Sequence, residues 1–317
     1  TTLVTDELVA FRESVRMFFA RGSEDPLRAA AEHGFVAMGV PEEHGGLGID
    51  DVRFAAVVME EAMRAQLPAL ALLLTAHGDV PVRALLADGG HGDWLAGLAT
   101  GELRAATALH ARDGYAPAVV GAAHADLLIV GTAAIAATAA TIEPIDAPVG
   151  LAGAGLANVS FDPAGVTALD ADLGDLLIGE RLLLALGAVA AAEAALDLTA
   201  EYVRDRRAFG TPIASFQNTR QLLGDATAKL RAAGALAQRA LHDRVEGRLS
   251  AGDAAAAKLV ATEAHAAVVD AGVQLHGGYG YMLEYPIAHA YADARFLRLH
   301  GTTSQDLRDE LGASVVE

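Results

Sequence analysis

The chain has 317 residues, a formal net charge of −18, 53% hydrophobic and 5% aromatic residues, and no cysteine. Without cysteine there are no disulfides, no thiolate zinc sites and no cysteine nucleophile, and so acidic a chain offers no basic face to nucleic acid. The length allows one large domain or two to three small ones, and the alanine-rich, aromatic-poor composition favours closely packed helices over sheets.

The N-terminal stretch TTLVTDELVAFRESV is acidic and amphipathic, with no apolar signal-peptide core. No uncharged apolar run long enough to span a bilayer stands out, because Glu193 and Asp197 interrupt the Ala/Leu-rich stretch after Arg181. A soluble, cytoplasmic protein with no membrane span is expected. Residues 5–19 and 51–65 carry apolar positions at helical spacing, and Pro41 with Gly45 and Gly46 marks the loop between them. Helical segments continue through LLLTAHGDVPVRALLADGG and DWLAGLATGELRAA, so residues 1–108 read as an N-terminal helical domain.

Two β-prone runs follow, HADLLIVGTAAI and LANVSFDPAGVTAL, and 109–172 is the only region where strands are expected. Long helices return over 173–317. The first is apolar nearly all round in its first half, as a fully buried helix would be, and the last is expected over 286–299. Four helices with short connections predict an antiparallel bundle. The expected fold class is therefore mainly α: an N-terminal helical domain, a shortened middle β segment and a C-terminal antiparallel four-helix bundle.

No G-x-S-x-G elbow, H-E-x-x-H pair or phosphate-binding G-x-x-x-x-G-K-[ST] loop occurs. His289 and His300 could share a helix face, but without a carboxylate cluster they imply no metal. The run QLHGGYGYMLEYP, 274–286, follows a helix and not a strand, which excludes a dinucleotide fingerprint. Alone, it either ends a helix or cradles a phosphate. Arg204, Arg206 and Arg207 precede Phe209-Gly210. As a helix C-terminus, the cations would complement the dipole and Gly210 would stop the helix. That leaves Phe209 and Gln217 unexplained.

RDRRAFGTPIASFQ, followed by QLHGGYGYMLEYPIAHAYADARFLRLHGTTSQ, resembles the C-terminal bundle of the acyl-CoA dehydrogenase family, and MGVPEEHGGLG, WLAGLATGELRAA, ADLLIV and VSFDPAGV resemble further family segments. The resemblance implies an FAD cofactor. Arg206, Phe209 and Gln217 would contact its ADP half. The 274–280 loop, with Gln274, Gly277, Gly278 and Gly280, would offer backbone N–H groups to a pyrophosphate belonging to a neighbouring subunit. Thr303 and Gln305 match positions near the same cofactor.

Family members remove a proton α to a thioester with a desolvated carboxylate and pass the β-hydrogen to the flavin as hydride. In many, the Glu lies just before Gly-Thr of the C-terminal motif, where this chain has Gly301. A second class, typified by isovaleryl-CoA dehydrogenase, carries it at the start of the helix leading to Arg-x-x-Phe-Gly, and Glu180 stands at that place. A small residue at position 301 would then leave room for it. The competing reading of Glu180 is a partner for the helix dipole.

The chain departs from the family in its middle. HARDGYAP replaces the Thr-Glu-Pro-x-Ala-Gly-Ser-Asp segment, and the Trp-Ile-Thr segment flanking the flavin ring has no counterpart. Three readings follow: a dehydrogenase with a trimmed β domain; one subunit of a heteromer, a dimer or tetramer with a longer paralogue, like the paired actinobacterial enzymes of steroid side-chain breakdown; or a flavin-free relic serving assembly or a redox-neutral step. The substrate implied is an acyl-CoA or acyl-carrier thioester, and the electron acceptor an electron-transferring flavoprotein.

Overall fold

In a computed structural model that describes residues 4–166 and 168–316, six helices come first: α1 Asp6–Arg21, α2 Pro26–Glu32, α3 Val52–Arg64, α4 Pro68–Gly78, α5 Val80–Asp88 and α6 Gly92–Thr100. Their starts are written locally. Thr5 caps α1 through its hydroxyl and Asp51 caps α3 through its carboxylate, which satisfies N–H groups that a helix leaves open. The segment read as one helical region, LLLTAHGDVPVRALLADGG, is instead two helices that part at Asp79. Pro81 cannot sit inside a continuous helix, since it lacks an N–H and its ring clashes with the carbonyl four residues earlier. It falls in the first turn of α5 instead.

Six strands follow: β1 Ala105–Ala108, β2 Tyr115–Val119, β3 Leu127–Val130, β4 Ala133–Ala136, β5 Ala140–Pro144 and β6 Ala157–Phe161. They form two three-stranded sheets, ordered β1-β3-β4 and β2-β6-β5, in which only the β1–β3 pair is parallel. Strands are therefore not confined to 109–172, because β1 begins before it. The central strand β3, LLIV, is buried at every position, which is why it reads as an unbroken apolar run. His77 ties this unit to the helices: its Nε2–H donates to Leu98 O at 3.0 Å and its Nδ1 accepts from the Ala105 N–H at 3.2 Å.

The C-terminal part contains α7 Leu173–Asp205, a two-residue hairpin β7 Arg207–Ala208 and β8 Thr211–Pro212, α8 Gln217–Val245, α9 Ala251–His276, α10 Pro286–Leu297 and α11 Ser304–Val316. Helix α9 packs against α7, α8, α10 and α11. Every α7 residue from Gly179 to Ala188 is buried, as its all-round apolarity requires. A Cβ on Gly187 would stand 2.8 Å from the Met59 sulfur, so α3 of the N-terminal part presses directly on α7. The last helix is α11, not the segment over 286–299, and α10 ends at Leu297. His300 lies beyond it, so His289 and His300 do not share a helix face.

Two stretches, Pro68–Asp88 and Leu173–Asp205, are long and apolar enough to cross a membrane by length and composition, although each is interrupted by charged residues, Asp79 and Arg83 in the first and Glu180, Arg181, Glu193 and Asp197 in the second. Within the fold, 56% and 61% of their windows are buried against protein.

Candidate active site

Glu180 stands two turns into α7, whose N-terminus Asp172 already caps by accepting from Gly174 N–H at 2.8 Å. The dipole effect fades within the first turn, so the dipole reading of Glu180 loses its basis. The side chain is 4% exposed. Its Oε2 has no hydrogen-bond partner among the described residues. Desolvation pushes its carboxyl above the usual glutamate range; Lys258 and Arg181 pull it back, and Asp79 pushes it further up.

Opposite the carboxylate lies the turn between α10 and α11. Gly301 has φ +64°, and a Cβ there would meet Glu180 Oε2 at 2.8 Å. The absent side chain is thus the room that the Glu180 carboxylate occupies. Lys258 of α9, fully buried, donates to the carbonyls of His300 and Thr302 at 2.5 Å each. Arg181 Nε donates to the Thr302 hydroxyl at 3.1 Å, while its two terminal nitrogens hold Glu310 at 2.8 and 2.7 Å.

The Thr302 hydroxyl is 2.9 Å from His110 Nε2, which is itself 3.8 Å from Glu180 Oε2. Burial lowers His110 to about 4 and His300 to about 3, so both are neutral at physiological pH. The Thr302 hydroxyl, which accepts from Arg181, still has its proton to donate to a neutral His110 Nε2. Beside this cluster, Thr75, Asp79, Val82, Arg83, Leu183 and Arg244 line part of a cavity of about 460 Å³. Leu183 is one turn from Glu180 on α7.

The other predicted residues divide between the two ends of α7. Thr303 and Gln305 belong to the Glu180 end. There Thr303 caps α11, accepting from Asp306 N–H at 3.2 Å and donating to the Asp306 carboxylate at 2.8 Å, and Gln305 is exposed. Arg206 lies just past the far end. Arg206 follows Glu180 by 26 residues along α7, about 39 Å at 1.5 Å per residue, so no single small cofactor in one chain touches both groups.

At the far end Tyr202, Arg206, Gln274, Gly277, Gly278 and Tyr279 line a groove of about 500 Å³. The Arg206 guanidinium lies 5.3 Å from the Tyr279 ring centre. Gly277, at φ +59°, ends α9, so the glycine run both stops a helix and faces a groove. A Cβ on Gly278 would meet nothing within 4 Å, whereas one on Gly280 would stand 2.4 Å from Val273 O. Gly278 therefore leaves open backbone facing solvent, and Gly280 is packed.

Gly210 does not stop the helix, which ends at Asp205. Phe209 (φ +52°) and Gly210 (φ +81°) form the turn of the β7–β8 hairpin, the primed-turn geometry that suits two-residue connections. The turn throws Phe209 out to 99% exposure, with Gln217 exposed at the start of α8.

The groove fits the ADP half of a dinucleotide: a cation, open glycine backbone and an aromatic ring converge on it. The Glu180 end fits a substrate, through an orphaned buried carboxylate oxygen. The fit to a flavin ring is partial, since HARDGYAP supplies His110 at the place where the family segment is replaced.

Helical cap, small β unit and helical bundle, with a buried carboxylate between them, define the acyl-CoA dehydrogenase fold. The acyl-CoA dehydrogenase N-terminal domain matches residues 5–102, and the C-terminal domain of the same family matches 174–316. The chain belongs to the acyl-CoA dehydrogenase family.

The long-chain specific acyl-CoA dehydrogenase of Mus musculus is 37% identical over 137 residues, 43% of this chain and 32% of that protein, so the match spans about a third of the relative's length. Glutaryl-CoA dehydrogenase of Desulfococcus multivorans is 29% identical, covering 86% of this chain and 82% of that one. The structure of an acyl-CoA dehydrogenase complexed with FAD from Bacillus anthracis superposes with a TM-score of 0.86 at 22% identity, over 99% of this chain and 67% of that one. At that identity the likeness establishes the fold.

Sequence reasoning missed His110, Lys258 and Thr302. A signal for Lys258 was present: it is one of only two lysines, and it stands in an Ala/Val-rich helix.

Proposed function

We propose that the chain is a subunit of an FAD-dependent acyl-CoA dehydrogenase that desaturates an acyl-CoA or acyl-carrier thioester between Cα and Cβ. It completes a flavin site across a subunit interface, in a heteromer with a longer paralogue. The observation that carries this reading is the separation of the two half-sites: Glu180 with Gly301 near one end of α7, the Arg206 groove beyond the other. One chain can serve both only if a second chain faces each.

In this reading Glu180 removes the α-proton. Its carboxylate is desolvated, which makes it basic, and Oε2 is free to receive the proton. Gly301 keeps that oxygen unobstructed, and the cavity beside Leu183 receives the acyl chain. FAD, when bound, supplies the acceptor for the β-hydrogen as hydride. Arg206 and the backbone of Gly277 and Gly278 would hold its phosphates from the neighbouring chain, with Phe209, Gln217 and Gln274 beside them. An electron-transferring flavoprotein would be the electron acceptor, by the resemblance to the family. The heteromeric pairing follows the resemblance to the paired enzymes of steroid side-chain breakdown.

A second reading, a flavin-free chain serving assembly or a redox-neutral step, is favoured by the missing ring-flanking segment and by His110 facing Glu180. The visible spectrum of the purified chain, alone and co-expressed with a longer paralogue, separates the two. A flavin spectrum that appears only with the partner supports the heteromer. A spectrum from the chain alone points to a self-sufficient dehydrogenase, and no colour in either case supports the second reading.

A further inference from the structure

Lysine is scarce in this protein. Only Lys229 and Lys258 occur among 23 basic residues. Lys229 is half exposed and pairs with Asp225 four residues before it on α8, while Lys258 is the largest side chain buried without measurable exposure. A buried ammonium is costly unless its charge and its donors are matched, so the groups that match it indicate its role. Two of its donors reach the His300 and Thr302 carbonyls, which bracket Gly301. An ammonium can serve two converging carbonyls as a point charge, whereas the planar fork of arginine suits paired acceptors.

We propose that Lys258 is a positioning residue for Glu180: it pins the Gly301 turn against which the carboxylate rests and places a buried positive charge at that turn. This rests on the reading of Glu180 as the base. The charged and titratable groups around the pair come from every neighbouring element. They are Arg181 on α7, Asp79 at the start of α5, His110 after β1, His300 after α10, and Asp306 and Glu310 on α11. Arg181 is already committed to Glu310 and Thr302. Among the charges acting on Glu180, Lys258 has the largest effect. Burial lowers Lys258 to about 8 and Glu180 raises it again, so the coupling is reciprocal, as linkage demands.

The scarcity of lysine makes the test direct. Full-length protein labelled with isotopic lysine gives two side-chain nitrogen signals, and a pH titration by NMR follows each. In Glu180→Gln, which keeps the side-chain shape, the Lys258 midpoint should fall by about one pH unit or more, the effect of one unit charge within about 12 Å at an effective dielectric near 20. The Lys229 midpoint should not move. A Lys258 midpoint unchanged by the substitution overturns the electrostatic half of the proposal.

For the positional half, hydrogen exchange is read at the Ser304 amide, which donates to Arg298 O at 3.0 Å. It should speed up at least about tenfold in Lys258→Met, and in Lys258→Arg as well, since the planar fork cannot reproduce the point contact with both carbonyls. Unchanged exchange in folded Lys258→Met overturns that half. If Lys258→Met does not fold, Lys258→Gln, which keeps an amide NH2 without the charge, is read in its place. Full turnover in Glu180→Gln would remove the base and leave the measured coupling standing, so the two failures are distinct.

Discussion

Glu180 rests against the space where a side chain at Gly301 would be. A Cβ on Gly301 would stand 2.8 Å from Oε2 and 3.2 Å from Cδ of the carboxylate, and 3.3 Å from a Leu184 methyl. The two positions are therefore coupled, and the carboxylate can occupy this space because residue 301 lacks a side chain. Gly301→Ala is expected to cost about 1–3 kcal/mol, from a non-glycine residue at positive φ and from the displaced carboxylate. Urea denaturation measures it. A loss below about 0.5 kcal/mol, the range of an ordinary surface change, would mean that the turn yields and the two residues are not coupled.

If Glu180 is the base, as proposed, its loss should be felt in turnover more than in folding. Glu180→Gln is expected to lower kcat on the order of a hundredfold or more, as loss of a general base does, with binding of the thioester largely kept. The measurement is turnover across a panel of acyl-CoA thioesters, together with exchange of the α-proton in deuterated water. Because desolvation raises the Glu180 pKa, kcat/KM of the wild-type protein should climb with pH through a value above that of an ordinary glutamate. An unchanged rate in Glu180→Gln takes this residue out of the mechanism.

Much of this was legible in the sequence, because it depends on local pattern. The buried α7 follows from its all-round apolarity and the order of helices, strands and helices from changes in periodicity, whereas the pairing of Glu180 with Gly301 was implied only by the resemblance to the family. Three misses were also local. Pro81 announced the break between α4 and α5, Thr303 with Asp306 three residues on was a capping signal for α11, and Gly210 was as much a turn signal as a helix stop. Lys258 and His110 are different in kind. Their partners are backbone carbonyls and hydroxyls 42 and 192 residues away in the chain, and no periodicity encodes such a contact.

The glycine run separates packing from binding within three residues. Gly280→Ala should destabilise the protein, because its Cβ would stand 2.4 Å from Val273 O and 2.9 Å from Val273 Cα, both backbone atoms that cannot give way. Gly278→Ala meets nothing within 4 Å, so its stability should stay within about 0.5 kcal/mol of wild type. If a phosphate approaches that backbone closely, the same substitution should weaken FAD binding about tenfold or more. Flavin titration of the assembled protein, followed by fluorescence, reads the affinity. Normal affinity in Gly278→Ala would move the pyrophosphate away from this loop.

His77 makes the junction between helices and strands sensitive to acid. Its Nε2–H donates to Leu98 O and its Nδ1 accepts from Ala105 N–H, so a second proton, on Nδ1, would expel the hydrogen bond at the start of β1. Burial accordingly lowers its pKa to about 4. The unfolded chain takes up the proton first, at its ordinary value near 6.5. The stabilisation is therefore complete above about pH 6.5 and lost progressively down to about pH 4, on the order of 3 kcal/mol. His110, His265 and His300 are also lowered and act in the same direction. The carboxyls of Glu180, Asp79 and Asp293 are raised by burial and act in the opposite one. His77→Gln retains a donor and an acceptor but cannot titrate. Urea denaturation over a pH series should show it less stable than wild type at neutral pH, yet with a shallower decline between about pH 6.5 and 4. Parallel declines would mean that His77 is not the group that loosens the β unit in acid.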